Sequence, residues 1–294
     1  VGVGAAFVTG GSGFVGQHLL AELGDGAVAP AREELDLLDG DAVRRALADA
    51  RPECVFHLAA HASVARSWED PAGVLRDNLA MTVNMLEALR QEAPDAVAVV
   101  MSSGEIYGPP ERLPVDESAL LRPQNPYAVS KAACDLLAGQ YADAHGLRVL
   151  RMRAFNQAGP GQSDDYVVGT VTRQVAEAEA AGGGVVRTGN PDVARDYTDV
   201  RDTVRAYVSA LGVPARAYNV CSGRSATVRE IIEYARRAAR VEIGHEVDPA
   251  RVRSHDVPEV RGSAAALAEA SGWSPAIPLE QTVADALDYW RARV

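Results

Sequence analysis

The sequence predicts an α/β fold: a doubly wound parallel sheet followed by a smaller, mixed α/β C-terminal lobe. Three observations carry this. Short apolar runs alternate with helix-period stretches as far as about residue 158. The first run leads at once into the glycine-rich segment Thr9-Gly10-Gly11-Ser12-Gly13-Phe14-Val15-Gly16. Beyond Ala158-Gly159-Pro160-Gly161 the texture changes to breakers, a triple glycine at 182–184 and a polar, arginine-bearing stretch from 187 to 202. The expected division is 1–158 and 159–294, with a segment near 195–213 packing back on the first unit.

Taken in order, Ala5-Ala6-Phe7-Val8 is fit for a buried strand, and Val15, Leu19, Leu20 and Leu23 continue as a helix. Gly10, Gly13 and Gly16 between them permit a tight turn and a close backbone approach. The helix N-terminus then faces an anion such as a pyrophosphate, the pattern of a Rossmann sheet. Ala27-Val28-Ala29 is a short second strand, and no acid stands at its end. Arg32 follows instead, which favours NADP(H), with NAD(H) as the alternative. Residues 41–50 read as a helix and Cys54 to Ala60 as a third strand running into a small-residue loop. Asp70-Pro71 caps and opens a long helix to about Glu92. Val97 to Met101 is the fourth strand, with Ser102-Ser103-Gly104-Glu105 at its C-terminal edge, where open parallel sheets bind ligands. A proline-rich connection from Tyr107 leads to a helix opened by Asn125-Pro126, and Leu147 to Arg153 is the fifth strand. In the second half, helices are expected at 168–181, from the capping box Thr227-Val228-Arg229-Glu230 to about 240, and at 278–291.

Composition excludes several classes. The 294 residues are 47% hydrophobic and carry a net charge of −11, with no basic stripe, so no nucleic-acid partner is expected. Cys54, Cys134 and Cys221 have no paired spacing, so neither a disulfide framework nor a structural zinc site is expected. His57 and His61 are four apart with no third ligand, so they read as core histidines and no metal site is expected. No apolar run reaches the roughly 18 residues of a membrane span, and the N-terminal run reads as a strand, not a signal peptide. The expectation is a soluble, reduced, cytoplasmic protein.

The chemistry centres on Tyr127 and Lys131, four apart and so on one face of a helix. Lys131 is the only lysine in a chain whose other basic residues are arginine or histidine. An ammonium beside the phenol is expected to lower its pKa and fit it to exchange protons with a substrate oxygen.

With Gly10, Gly13, Gly16, Ser103, Tyr127 and Lys131 in this order, the chain resembles the extended short-chain dehydrogenase/reductases over essentially its whole length. The resemblance implies Ser103 as the hydroxyl on the reacting oxygen, Tyr127 as acid/base, and Lys131 as its tuner and ribose contact. It implies Asn78 as support for a relay water. Around the cofactor it adds Phe14, Val15, Asp36, Leu37, Leu58, Ala59 and Ala60 to the glycines and Arg32. Residues 153–162, 189–202 and 253–258 resemble the nucleotide-sugar branch, which implies Asn156, Val168, Arg195, Arg253 and Asp256 as substrate-binding beside Ser103. The segments 57–68, 102–108 and 219–223 are similar to those of GDP-4-keto-6-deoxy-D-mannose reductases, whose sister family is GDP-mannose 4,6-dehydratase. The implied activity is reduction of a GDP-linked 4-keto-6-deoxyhexose; the alternatives are a 4,6-dehydratase, in which Glu105 becomes the base at C5, and a 4-epimerase. The family likeness also implies a homodimer through the helices near 71–92 and 126–144.

Overall fold

The computed structural model describes residues 4–252 and 257–294. The chain begins with β1 (Ala6–Thr9), α1 (Phe14–Leu23), β2 (Ala27–Val28), α2 (Gly40–Ala50), β3 (Cys54–His57), α3 (Val64–Glu69) and α4 (Pro71–Glu92). It continues through β4 (Val97–Ser103), α5 (Pro126–His145), β5 (Arg148–Ala154), β6 (Asn156–Ala158), α6 (Val167–Ala180), β7 (Gly184–Thr188), β8 (Ala194–Asp199) and α7 (Val200–Ser209). It closes with β9 (Ala217–Val220), β10 (Ser225–Thr227), α8 (Val228–Ala238), β11 (Ile243–Val247), β12 (Glu259–Val260), α9 (Ala265–Ser271) and α10 (Leu279–Arg291).

The main sheet is six-stranded and parallel, in the order β2-β1-β3-β4-β5-β9. Its central strands are apolar at nearly every position because both faces are covered. Ala6, Val8, Phe56, Val99 and Met152 face one core with α1, α7 and α9; Phe7, Val55, Ala98, Val100 and Val149 face the other with α2, α4 and α5. A second core lies between α6, α8, α10 and the smaller sheets, around Val168, Val175, Val186, Ile231 and Leu287.

The fold class is the one the sequence predicts, and the helix starts follow the predicted caps. Asp70 accepts from Gly73 N, Asn125 accepts from Ala128 N, and Thr227 and Glu230 close a capping box. Sequence reading does not resolve the short strands β6–β12, nor α3, α7 and α9. Nor does a cut at residue 158 describe the packing. Strand β9 is the sixth strand of the main sheet, Val204 and Tyr207 of α7 lie in its core, and Leu267 and Trp273 join them. We propose the first unit as 1–158 completed by 200–220 and 264–273, with the remaining second-half residues forming the lobe.

Candidate active site

Sheet order reverses beside β1, between β1 and β3, so the loops leaving their C-terminal ends part and open a crevice. The loop after β1 is shaped by glycine. Gly10 has φ +75°, and a Cβ there would stand 2.8 Å from Ala59 N; a Cβ on Gly16 would stand 2.1 Å from Gly10 O. Any side chain at 16 would push α1 off the loop. Helix α1 has no side-chain cap and no acid in its first turn, so Phe14 and Val15 open a helix end suited to an anion. The glycine cradle and this uncapped end fit a dinucleotide pyrophosphate.

Arg32 lies exposed in the turn after β2, next to Ala31, whose N–H donates to Glu34 Oε2 at 2.8 Å. Asp36 is exposed and caps its own turn, accepting from Leu38 N at 3.0 Å, while Leu37 O accepts from Asn84 Nδ2 at 2.8 Å. Leu58 is buried in the main core, and its N–H donates to Thr9 O at 3.2 Å; Ala59 and Ala60 are partly buried beside Gly10. Of these residues Ala59 lies against Gly10 of the loop, and the side chain of Leu58 is turned into the core.

At the end of β4, Ser103 is buried and its Oγ accepts from Glu105 N at 3.2 Å, which leaves the hydroxyl hydrogen free to donate. Glu105 is exposed, and its Oε2 accepts from Asn125 Nδ2 at 3.2 Å. Tyr127 stands at the start of α5, within hydrogen-bonding influence of Ser103. The expected lowering of its pKa is reversed. Burial pushes the Tyr127 phenol well above its ordinary range, with Tyr166 and Glu105 adding to the rise, against a smaller pull from Ser103. Burial likewise pushes the Lys131 ammonium down, opposed by Cys134 and Asp135. Desolvation is the largest influence on both groups, and it favours the neutral phenol at Tyr127. Lys131 is 5% exposed, and among the described residues no carboxylate or carbonyl takes its protons. A buried ammonium without an acceptor fits the ribose hydroxyls of the same dinucleotide.

Asn78 does not stand open for a water. Its Oδ1 accepts from His61 N at 2.7 Å, and its Nδ2 donates to Ser130 Oγ at 2.9 Å and His61 O at 3.2 Å. Its main-chain carbonyl accepts from Thr82 Oγ1 at 2.9 Å and Cys134 Sγ at 3.4 Å. It ties α4 to α5. His57 is a core histidine, bonded to Thr9 Oγ1 at 2.9 Å and Thr82 Oγ1 at 3.3 Å, and burial lowers its pKa to about 3. His61 is not in the core: it is exposed and reaches Asp77 at 3.2 Å, because it lies beyond the strand end.

The substrate candidates divide. Ala154 is in register with Ser103, which puts Asn156, exposed at the start of β6, at the same sheet edge. Strand β6 pairs with β8 through Asn156 and Tyr197, and Arg195 lies two residues before that contact. Arg195 Nη1 donates to Ala194 O and Val257 O, both at 2.8 Å, and has no carboxylate partner among the described residues, which leaves its charge for an anion. Val168 is 1% exposed inside the second core, and its carbonyl accepts from Thr172 Oγ1 at 2.7 Å, so its side chain is committed to packing. Arg253 and Asp256 lie outside the described residues.

Sequence reasoning missed the polar network beneath α5. Asp135, fully buried, accepts from Arg153 Nε at 3.0 Å and Nη2 at 2.8 Å, and from Arg151 Nη1 at 3.3 Å. Arg153 Nη1 also donates to Tyr107 OH at 3.0 Å, which donates to Asn219 Oδ1 at 2.7 Å. The one available signal was Asp135 four residues past Lys131, on the same helix face. It also missed Tyr166, whose hydroxyl donates to Ala62 O at 3.4 Å across the cleft; nothing in the local sequence marks it.

Comparison with known proteins places this geometry. Residues 31–286 match the family model described as GDP-mannose 4,6 dehydratase. The chain is 39% identical to the GDP-6-deoxy-D-mannose reductase of Pseudomonas aeruginosa, over 98% of this chain and 97% of that one. It superimposes with a TM-score of 0.90 and 38% identity on the structure of RMD from Pseudomonas aeruginosa complexed with NADPH, covering 98% of this chain and 99% of the other. It is also similar to the Thermus thermophilus UDP-glucose 4-epimerase complex with NAD, at a TM-score of 0.87 and 32% identity, covering 98% and 99%.

Proposed function

We propose a reductase, and the premise is membership: the chain belongs to the GDP-mannose 4,6-dehydratase family. Within it, we read this protein as an NADP(H)-dependent reductase of a GDP-linked 4-keto-6-deoxyhexose. The observation that carries the reading is the placing of Ser103, at the end of β4, beside Tyr127, at the start of α5. Tyr127 brings a phenol proton, and Ser103 keeps a free hydroxyl hydrogen beside it. A ketone becoming an alcohol needs both: a hydrogen bond to polarise the carbonyl oxygen and an acid to protonate the alkoxide. The 39% identity to a GDP-6-deoxy-D-mannose reductase supports the same direction.

When bound, a reduced nicotinamide supplies hydride at C4 of the sugar. The glycine loop and the open end of α1 would hold its pyrophosphate, Lys131 its ribose, and Arg32 the 2′-phosphate that distinguishes NADPH. Ser103 donates to the C4 oxygen, and Tyr127 transfers its proton to that oxygen as negative charge develops. Asn156 and Arg195 hold the nucleotide diphosphate. Arg153 stays out of this set, because its guanidinium is already bound to Asp135 and Tyr107.

Glu105 favours a second reading, as a 4,6-dehydratase. It lies two residues past Ser103, with an exposed carboxylate that could take a proton from C5. Incubation with GDP-mannose, and separately with GDP-4-keto-6-deoxymannose plus NADPH, decides between them by product identification. Reduction of the 4-keto sugar supports the reductase. Conversion of GDP-mannose to a C5-deuterated 4-keto product in deuterated water would replace it with the dehydratase.

The protein is proposed as a homodimer joined through α4 and α5, whose outer faces expose Leu79, Val129 and Leu136. Among the described residues no helix is long and apolar enough to cross a membrane. A cytoplasmic, reducing setting is part of the proposal, in keeping with three buried, unpaired cysteines.

A further inference from the structure

We infer that Asn125 is a positioning residue: its side-chain amide joins the cap of the helix bearing Tyr127 to the carboxylate of Glu105, and so fixes which carboxylate oxygen faces the sugar. The inference rests on the reductase reading above. Asn125 Oδ1 accepts from Ala128 N at 2.7 Å, and Nδ2 donates to Glu105 Oε2 at 3.2 Å. Both ends are dictated by their partners. A backbone N–H can only donate, and an ionised carboxylate can only accept, so the amide has one orientation that serves both. Serine, threonine or aspartate would cap the helix equally well. Serine and threonine keep a hydroxyl hydrogen, but on the one short atom that caps the helix, so no donor reaches where Nδ2 stands, and aspartate would set one carboxylate against another.

Glu105 reaches the reacting groups by its backbone as well, since its N–H donates to Ser103 Oγ. One short segment therefore links the direction of the Ser103 hydroxyl, the Glu105 carboxylate and the N-terminus of α5. The connection does not need the side-chain bond in order to dock. Arg122 N donates to Ile106 O at 2.9 Å, and Gly108 lies so close to Arg122 that a Cβ would stand 2.0 Å from its carbonyl oxygen. Removing the Asn125 arm thus frees the carboxylate without releasing the loop. With Oε2 held, Oε1 is the oxygen left to accept from a sugar hydroxyl.

The test compares Asn125→Ser, Glu105→Ala and their double variant with wild-type holoenzyme, using NADPH and the 4-keto sugar. Asn125→Ser keeps the cap and should raise KM about five- to tenfold with kcat within about threefold. The double variant should be no worse than Glu105→Ala within about twofold, because the two side chains act as one unit. Asn125→Asp should be worse than Asn125→Ser, and pairing it with Glu105→Gln should restore KM, since the amide then donates from the other side. Additive single effects, or no rescue by the swap, would overturn the inference. A reaction-free measurement separates it from the reductase reading. The Asn125 side-chain amide NMR signals should shift in Glu105→Ala. If they shift while wild type reduces no 4-keto sugar, the reductase reading falls and the link between the two residues stands. If they do not shift, the link falls whatever the turnover.

Discussion

Asp135→Asn should be among the most damaging single changes outside the reacting groups. The carboxylate is fully buried and, among the described residues, is the only anion for Arg153, whose side chain is 6% exposed; Arg151 is 22% exposed and regains water when freed. Removing one partner of such a pair leaves a buried cation uncompensated, a loss of about 3–5 kcal/mol. For a chain of this size each kcal/mol shifts Tm by roughly 2–4 °C, so the expected fall is about 6–20 °C. Activity should change in a specific way as well. Asp135 supports the Lys131 ammonium against burial, which already lowers its pKa. Without the carboxylate, Lys131 loses its proton at a lower pH, and the alkaline limb of kcat should move to lower pH. Thermal unfolding by circular dichroism and a pH–rate profile read the two effects. Replacing both partners by apolar residues, Asp135→Leu with Arg153→Met, should recover much of the stability. A loss below about 1 kcal/mol for Asp135→Asn would refute the reasoning, because the pair would then be worth no more than an exposed one.

Lys131→Arg should leave the fold intact and cut kcat on the order of 10²-fold, since a planar, permanently charged fork does not fit where the ammonium is buried; near-wild-type turnover would contradict this. NADPH should bind more tightly than NADH, and Arg32→Ala should abolish the difference in a fluorescence titration; equal affinities in wild type would remove Arg32 from the site. His57 stays neutral to about 3 in the fold but titrates near 6.5 when unfolded, so its contribution is intact above about pH 6.5 and is lost as pH falls toward 3. Urea unfolding from pH 7 to 4 should show a shallower acid slope for His57→Gln; an unchanged slope would contradict the assignment. Light scattering at micromolar concentration should give twice the 31.1 kDa chain mass, and a monomer would contradict the α4–α5 interface.

The parts of this molecule legible in its sequence are those set by neighbours along the chain. The glycine loop, the caps at Asp70, Asn125 and Thr227, and the i,i+4 spacing of Tyr127 and Lys131 are local patterns, and each has its expected backbone form. The rest depends on partners far away in sequence. Strand β9 is four residues long, and only its place beside β5 distinguishes it from a loop. Spacing also misjudged the ammonium's effect on the phenol. A pKa follows from how much water the fold removes and from which groups it brings near, and Tyr166, which adds to the rise at Tyr127, lies 39 residues further along. Asn125 joins the two kinds of information. Its role as a cap is written in Asn-Pro, but the reason for asparagine rather than serine lies in Glu105, twenty residues earlier. A residue type better equipped than its local role requires is therefore a sequence-level pointer to a second partner, and the NH₂ of a capping asparagine is such a surplus.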